Sequence, residues 1–497
     1  MKSDNRIFCF SASNTLNALV ASVIFCWVPA AAAQEQGTDP GVSSAAIAQA
    51  VELRDQAMQG TRAYEWVESL TTEIGPRPGG SAAEASARQW AVKKLSAMGF
   101  SNVRIETFPM IGWQRGEEEA AILEPYPQPL AITALGGSVA TPPEGIEAEL
   151  VVFKDFAALE AAGPDQVKGR LVYVGHQMQR TQDGSSYGFW GKVRWDGASE
   201  VARKGGLGIM IRSIGTDEHR MPHTGSMEYA MDAPKIPAVA LSNPDADQIE
   251  RIAARGVTVR ARLRSTARVV ENLESGNVIA EIPGRTHPEQ IVIIGGHLDS
   301  WDLGTGALDD GAGVAITMEA ARMILASGWM PERTIRLILW GSEEGGVFEQ
   351  ADDGGLVGGR AYVYAHRDEL ENHVMGAESD FGARRIWQVN YNVSDAARPA
   401  MQLMETLLAP LGIAPGDNQS SSIGPDLIPL KAAGLPAFSL AQDGRDYFDY
   451  HHTADDVLSR IQPGQLDQNV AAYIVFAMIA ANSSIDDWGW GAASDGN

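Results

Sequence analysis

The stretch IVIIGGHLDSWDLGTGALDDGAG, residues 291–313, decides the fold. It opens as a short apolar run of Ile and Val, closes on Gly295 and Gly296, and then gathers His297 and four Asp within fourteen residues. A continuous apolar run bounded by glycine reads as a strand buried on both faces. GAGVAITMEAARMILASG, residues 311–328, reads as the helix that follows it. Carboxylates gathered where a strand ends repel one another and are costly to desolvate, so a cation is expected among them.

The same rhythm continues downstream. RTIRLILWGSEE (residues 333–344) is a second strand, HVMGAESDFG (373–382) a third, and AFSLAQ (437–442) a later one. Helices are expected near Tyr362 to His366, over ARPAMQLMETLLAPLG (397–412) and over PGQLDQNVAAYIVFAMIAANSS (463–484). Apolar strands alternating with helices predict an α/β fold: a doubly wound, parallel or mixed sheet covered by helices on both faces. Upstream, residues 45–75 read as one or two helices and PRPGGS (76–81) as a turn. Ser81 and Glu84 fit a capping box for the next helix and Gly99 its stop. NVRIETFP (102–109) reads as a strand.

From about Glu119 the texture changes. GIEAELVVF, GRLVYVG, LGIMIRS, IPAVALS and VTVRARLRS are short strands separated by Gly, Pro and Asp, with GASEVARKG as one helix between them. A mainly β module over residues 119–267 is expected, with too few helical crossovers for a doubly wound sheet. It would be inserted into a discontinuous α/β domain made of residues 34–118 and 268–497.

The chain has 497 residues and a net charge of −24, which argues against nucleic acid or an anionic membrane as partner. Residues 1–33 carry Lys2 and Arg6, an apolar stretch and Ala31 to Ala33, the pattern of a secretory signal peptide. A secreted or periplasmic protein without membrane attachment is expected after cleavage. Both cysteines, Cys9 and Cys26, lie in that segment, so any metal site in the mature chain must use His and carboxylates.

Functional groups of open α/β sheets gather at the carboxyl ends of strands. Here those ends deliver His297 and Asp299, then Glu343 and Glu344, then Glu378 and Asp380. Asp309 and Asp310 precede a helix, and YHHTADD brings His451, His452, Asp455 and Asp456. Two His and several acids without thiolate point to zinc, then cobalt or manganese. The surplus over the three ligands of a single catalytic zinc points to two ions about 3.5–4 Å apart.

GGHLDSWDLGTGALDDGAG, LILWGSEEGG, AESDFG and YHHTADD resemble the co-catalytic zinc exopeptidases of clan MH. MPHTGSMEY (221–229) and PKIPAVAL (234–241) resemble its carboxypeptidase Q branch. The resemblance covers nearly all of the mature chain. It implies that the insert is a protease-associated (PA) domain and that the protein forms a homodimer. It implies that His297 and Asp380 hold one zinc, Glu344 and His452 the other, and Asp309 bridges them. Glu343 would be the general base and Asp299 the acid that orients His297. His451, Asp426 and His223 are candidates for contact with substrate or oxyanion, and His451 stays an alternative ligand to His452. The implied activity is hydrolysis of dipeptides or short peptides by a zinc-activated water. The alternatives are an aminopeptidase on longer peptides, an N-acyl-amino-acid hydrolase, and a receptor-like binding protein without catalysis.

Overall fold

The computed structural model describes residues 39–348, 350 and 354–491. The segment read as a signal peptide lies outside them, as do four residues of the acidic stretch FEQADDGG (348–355). The chain opens with helices α1 (Ser44–Ala57), α2 (Ala63–Glu73) and α3 (Ala82–Met98), and then strand β1 (Ser101–Gln114). Next come β2 (Glu118–Glu124), β3 (Gln128–Leu130), β4 (Ile132–Ala134), β5 (Ile146–Phe153), α4 (Phe156–Ala161), α5 (Pro164–Val167) and β6 (Leu171–Val174). They are followed by α6 (Ser185–Arg203), β7 (Gly208–Arg212), β8 (Ala238–Leu241), α7 (Asn243–Ala253) and β9 (Arg260–Ser265). The rest comprises β10 (Arg268–Ile282), β11 (His287–His297), α8 (Ala312–Ala326), β12 (Arg333–Trp340), β13 (Val347–Phe348), α9 (Val357–Ala365) and β14 (His373–Glu378). It ends with β15 (Ile386–Asn392), α10 (Arg398–Leu408), β16 (Ala414–Pro415), α11 (Ile428–Ala433), β17 (Ala437–Gln442) and α12 (Pro463–Asn482).

The central sheet runs β13-β1-β10-β12-β11-β14. Alternation along β11 explains its coverage. Val292 and Ile294 pack with α8, α12, α1 and α2, while Ile291 and Ile293 pack with Trp340, Tyr362 and Leu430 of β12, α9 and α11. A strand buried on both faces needs the unbroken apolar run seen in its sequence. β11 is parallel to β12 and β14, with His297 beside Trp340 and Gly295 beside Glu378. These ends therefore deliver their side chains to one edge.

The sheet is mixed rather than parallel throughout. β1 and β10 form an antiparallel ladder from the Ser101–Glu281 pair to the Gln114–Arg268 pair, and residues 115–267 stand where a hairpin turn would be. Those residues build a second, eight-stranded sheet, β3-β2-β9-β5-β6-β7-β8-β4, of which β5 to β8 are parallel. This lobe holds more helix than its sequence implies. α6 spans nineteen residues and packs Val193, Ala198 and Val201 on Ile209 and Ile211 of β7. Gly188, Gly191 and Gly197 within α6 dilute the apolar period that would have revealed it.

α3 begins as its cap predicts: the Ser81 hydroxyl accepts the Glu84 N–H at 3.1 Å, and Gly99 closes the helix at φ +92°. Glu84 reaches back to the Gly80 N–H at 3.2 Å, accepts from the Ser275 hydroxyl at 2.8 Å and pairs with Arg88 at 3.3 Å. Burial still pushes its carboxyl up to about 7 from an ordinary 4.5. A raised folded-state pKa stabilises the fold fully below about 4.5, and that contribution is lost as pH rises through about 7. Thermal melts of the wild type should lose about 3 kcal/mol from this source between pH 4.5 and 8, and Glu84→Gln should flatten that part of the profile. A Glu84→Gln profile as steep as the wild type would exclude Glu84 as the cause.

Candidate metal centre

His297 ends β11 and is fully enclosed. Its backbone N–H donates to Asp310 Oδ2 at 3.0 Å, and Asp310 Oδ1 accepts the Gly313 N–H at 2.9 Å. Asp310 thus ties the start of α8 to the end of the strand and acts as a structural acid. The imidazole is set between carboxylates: Nδ1 lies 3.4 Å from Asp299 Oδ1, and Nε2 lies 3.1 Å from Asp309 Oδ1 and 3.4 Å from Asp380 Oδ1. Asp299 also accepts the N–H of Glu343 at 3.0 Å and of Glu344 at 3.3 Å, so one carboxylate orients the ends of two neighbouring strands.

The segment bearing Asp309 is irregular, and its backbone donors are satisfied from a distance. Asp456 accepts the N–H groups of Ala307, Leu308 and Asp309 at 2.9, 2.6 and 3.2 Å. Arg77, buried in the PRPGGS turn, donates to the carbonyls of Leu298, Thr305 and Gly306. Read as a turn alone, that hexapeptide gives no sign of this role. Ser342 and His452 sit at φ +57° and +62°, conformations costly for residues with a Cβ and typical of over-determined functional sites.

His452 faces a second group. Its Nε2 lies 2.9 Å from Glu344 Oε2 and 3.2 Å from Asp309 Oδ2, while Nδ1 donates to the Thr224 carbonyl at 3.3 Å. Thr224 returns a bond from its N–H to the His452 carbonyl at 3.1 Å, and the Ser226 hydroxyl donates to the Glu344 carbonyl. Thr224 and Ser226 belong to the inserted lobe, so that lobe buttresses the site directly. His451 stacks on His452 with ring centres 3.5 Å apart. Its Nε2 lies 3.6 Å from Asp309 Oδ2, and its Nδ1 has no hydrogen-bond partner among the described residues.

Two expected contacts fall elsewhere. His223 has both ring nitrogens engaged, by the His451 carbonyl at 2.7 Å and Asp217 at 2.6 Å, so it anchors the histidine loop from behind. Asp426 is wholly enclosed and accepts the Gly359 N–H at 3.0 Å; burial and the nearby Glu378 push it well above the usual carboxylate range.

Ligand atoms converge in two groups: His297, Asp309 and Asp380, and Asp309, His451 and His452, the atoms of each within 4.8 Å of one another. Asp309 belongs to both. Burial works against ionisation of Asp309, but its contacts with His297 and His452 hold it well below the usual range. Burial pushes Glu343 and Glu344 well above theirs, and Asp309 adds to the effect on Glu344. Asp309 Oδ2 and Glu344 Oε1 are buried and accept no hydrogen bond from the described residues. Unpartnered carboxylate oxygens beside imidazole nitrogens, with no thiolate, fit zinc.

The model of peptidase family M28 matches residues 277–477. Carboxypeptidase Q of Bos taurus is 36% identical over 421 residues, 85% of each chain. The solved structure of a peptidase M28 precursor from Shewanella amazonensis superposes with a TM-score of 0.86 at 45% identity, covering 90% of this chain and 99% of that one. A zinc aminopeptidase from Bacillus subtilis shares the fold, with a TM-score of 0.61 at 18% identity over 85% of this chain and 98% of that one. By these relatives the chain belongs to peptidase family M28, in clan MH, and is a zinc exopeptidase homologous to carboxypeptidase Q.

Proposed function

We propose that this exopeptidase holds two zinc ions and hydrolyses dipeptides or short peptides outside the cytoplasm. The observation that carries the two-ion reading is Asp309, the carboxylate common to both ligand groups. On this reading His297, Asp309 and Asp380 hold one ion, and Asp309, Glu344 and His452 the other. His452 is preferred to His451 because its Nδ1 is fixed by the Thr224 carbonyl, which leaves Nε2 for a metal. Bound zinc supplies Lewis acidity toward the scissile carbonyl and toward water. Glu343 serves as general base: its carboxylate takes a proton from the attacking water and delivers it to the departing amine. Asp299 keeps His297 in the required tautomer and Glu343 in place. Among the described residues no helix is long and apolar enough to cross a membrane. The N-terminal pattern supports export, and the lobe is read as PA-like, shaping access to the site.

The enclosure of His297, His451 and His452 favours small substrates. Release of free amino acid should be followed from a free dipeptide, its C-terminal amide and its N-blocked form, with and without a chelator. Chelator-sensitive cleavage of the free dipeptide is the expected result. Cleavage of the amide at the same rate would make the protein an aminopeptidase. Cleavage of the blocked form would make it a carboxypeptidase or acyl-amino-acid hydrolase. No cleavage of any substrate by zinc-loaded protein would defeat the enzymatic reading.

A further inference from the structure

We propose that Arg194, on α6 of the inserted lobe, binds a carboxylate of the peptide substrate. The inference rests on peptide hydrolysis at the site just described.

Arg194 is 6% exposed. Other buried arginines are compensated: Arg54, Arg88, Arg115, Arg333 and Arg336 each lie within 4.0 Å of a carboxylate, and Arg77 donates to backbone carbonyls. Among the described residues Arg194 has no such carboxylate. Its Nη1 donates to the Tyr187 hydroxyl, and its Nε is buried without an acceptor. In a chain of net charge −24, an arginine left unneutralised below the surface is an exception that calls for an anion.

Its position says which anion. The guanidinium lies against the backbone of Gly225, where even a Cβ would come within 2.2 Å of Nη1. The flanking residues are Thr224, which holds His452, and Ser226, which holds Glu344. Tyr187, which accepts from Arg194, meets the His451 ring edge-on at 5.0 Å. The charge thus lies beside the Thr224–Ser226 segment that holds both halves of the Glu344–His452 group. A dipeptide whose scissile carbonyl is at the metal ligands carries its terminal carboxylate about one residue further on, roughly 3.5 Å along the chain. The planar fork of arginine matches a carboxylate with two parallel hydrogen bonds. The same fork would take an acidic side chain in that place, so the recognised chemistry is a carboxylate from either source.

The test compares Ala-Ala, Ala-Ala-amide and Ala-Glu-amide on zinc-loaded wild type, Arg194→Gln and Arg194→Lys. Wild type should prefer Ala-Ala over its amide by about 100-fold in kcat/KM, and Arg194→Gln should erase most of that ratio through KM. Recovery of the lost rate by Ala-Glu-amide in the wild type would assign the site to an acidic side chain, and no recovery to the terminal carboxylate. Arg194→Lys, which keeps a point charge, should fall between the two. Independently of turnover, N-acetylalanine should quench tryptophan fluorescence of the metal-free wild type through Trp195, whose ring lies 5.7 Å from the guanidinium, and N-acetylalaninamide should not. Equal wild-type rates on all three substrates, or losses in Arg194→Gln that are the same for all three, would overturn the proposal while leaving the exopeptidase intact. Absence of all cleavage would instead sink the catalytic reading, and the quenching measurement would then decide on Arg194 alone.

Discussion

Glu343→Gln should lower kcat by about 1,000-fold or more while zinc content stays at the wild-type level. General-base catalysis contributes about 10² to 10⁴ in rate, and glutamine cannot accept the proton. The substitution preserves shape, and the Glu343 N–H keeps its bond to Asp299 at 3.0 Å, so the strand end should not move. Steady-state kinetics together with atomic emission on dialysed protein would check both halves. A variant with wild-type turnover removes Glu343 as the base. One that loses zinc makes it a ligand instead.

Asp309→Ala should cost both activity and metal, leaving no more than one zinc per chain and turnover at background. Asp309 is the acid that approaches His297 and His452 together, at 3.1 and 3.2 Å. Removing it takes a ligand from each group and leaves two buried imidazoles without their shared anion. Metal stoichiometry after dialysis against a weak chelator is the direct readout. Retention of two zincs per chain would show that Asp309 does not bridge.

Much of this was legible in the residues. The apolar runs of β11 and β12 announce strands buried on both faces, and acids placed at their ends announce a cation. What escaped has physical reasons. α6 was reduced to its last turns because glycines interrupt its period. β15, IWQVNYN, alternates too weakly to stand out from its surroundings. The antiparallel ladder of β1 and β10 is closed by residues far apart in the chain, which no local pattern reports. His223 and Asp426 carry the right chemistry, yet the fold turns one toward a backbone carbonyl and encloses the other. Arg77 and Arg194 were missed because nothing in a single arginine tells whether it will meet carbonyls, a carboxylate, or neither.

The Thr224 carbonyl has a consequence for how the enzyme comes into being. Histidines can bind an ion through either nitrogen, and a carbonyl at Nδ1 selects the nitrogen that is left. That selector arrives with residues 115–267, whereas His297, Asp309, Glu344, Asp380 and His452 all come from the segment that follows. A truncated protein lacking the lobe would keep every ligand in its sequence and still lose the part that aims His452. On the proposed ligand set, ion capture would require the lobe and the segment that follows it to have met. A zinc-loaded molecule would certify its own assembly, and an unloaded one would be marked as unfinished before it ever met a peptide.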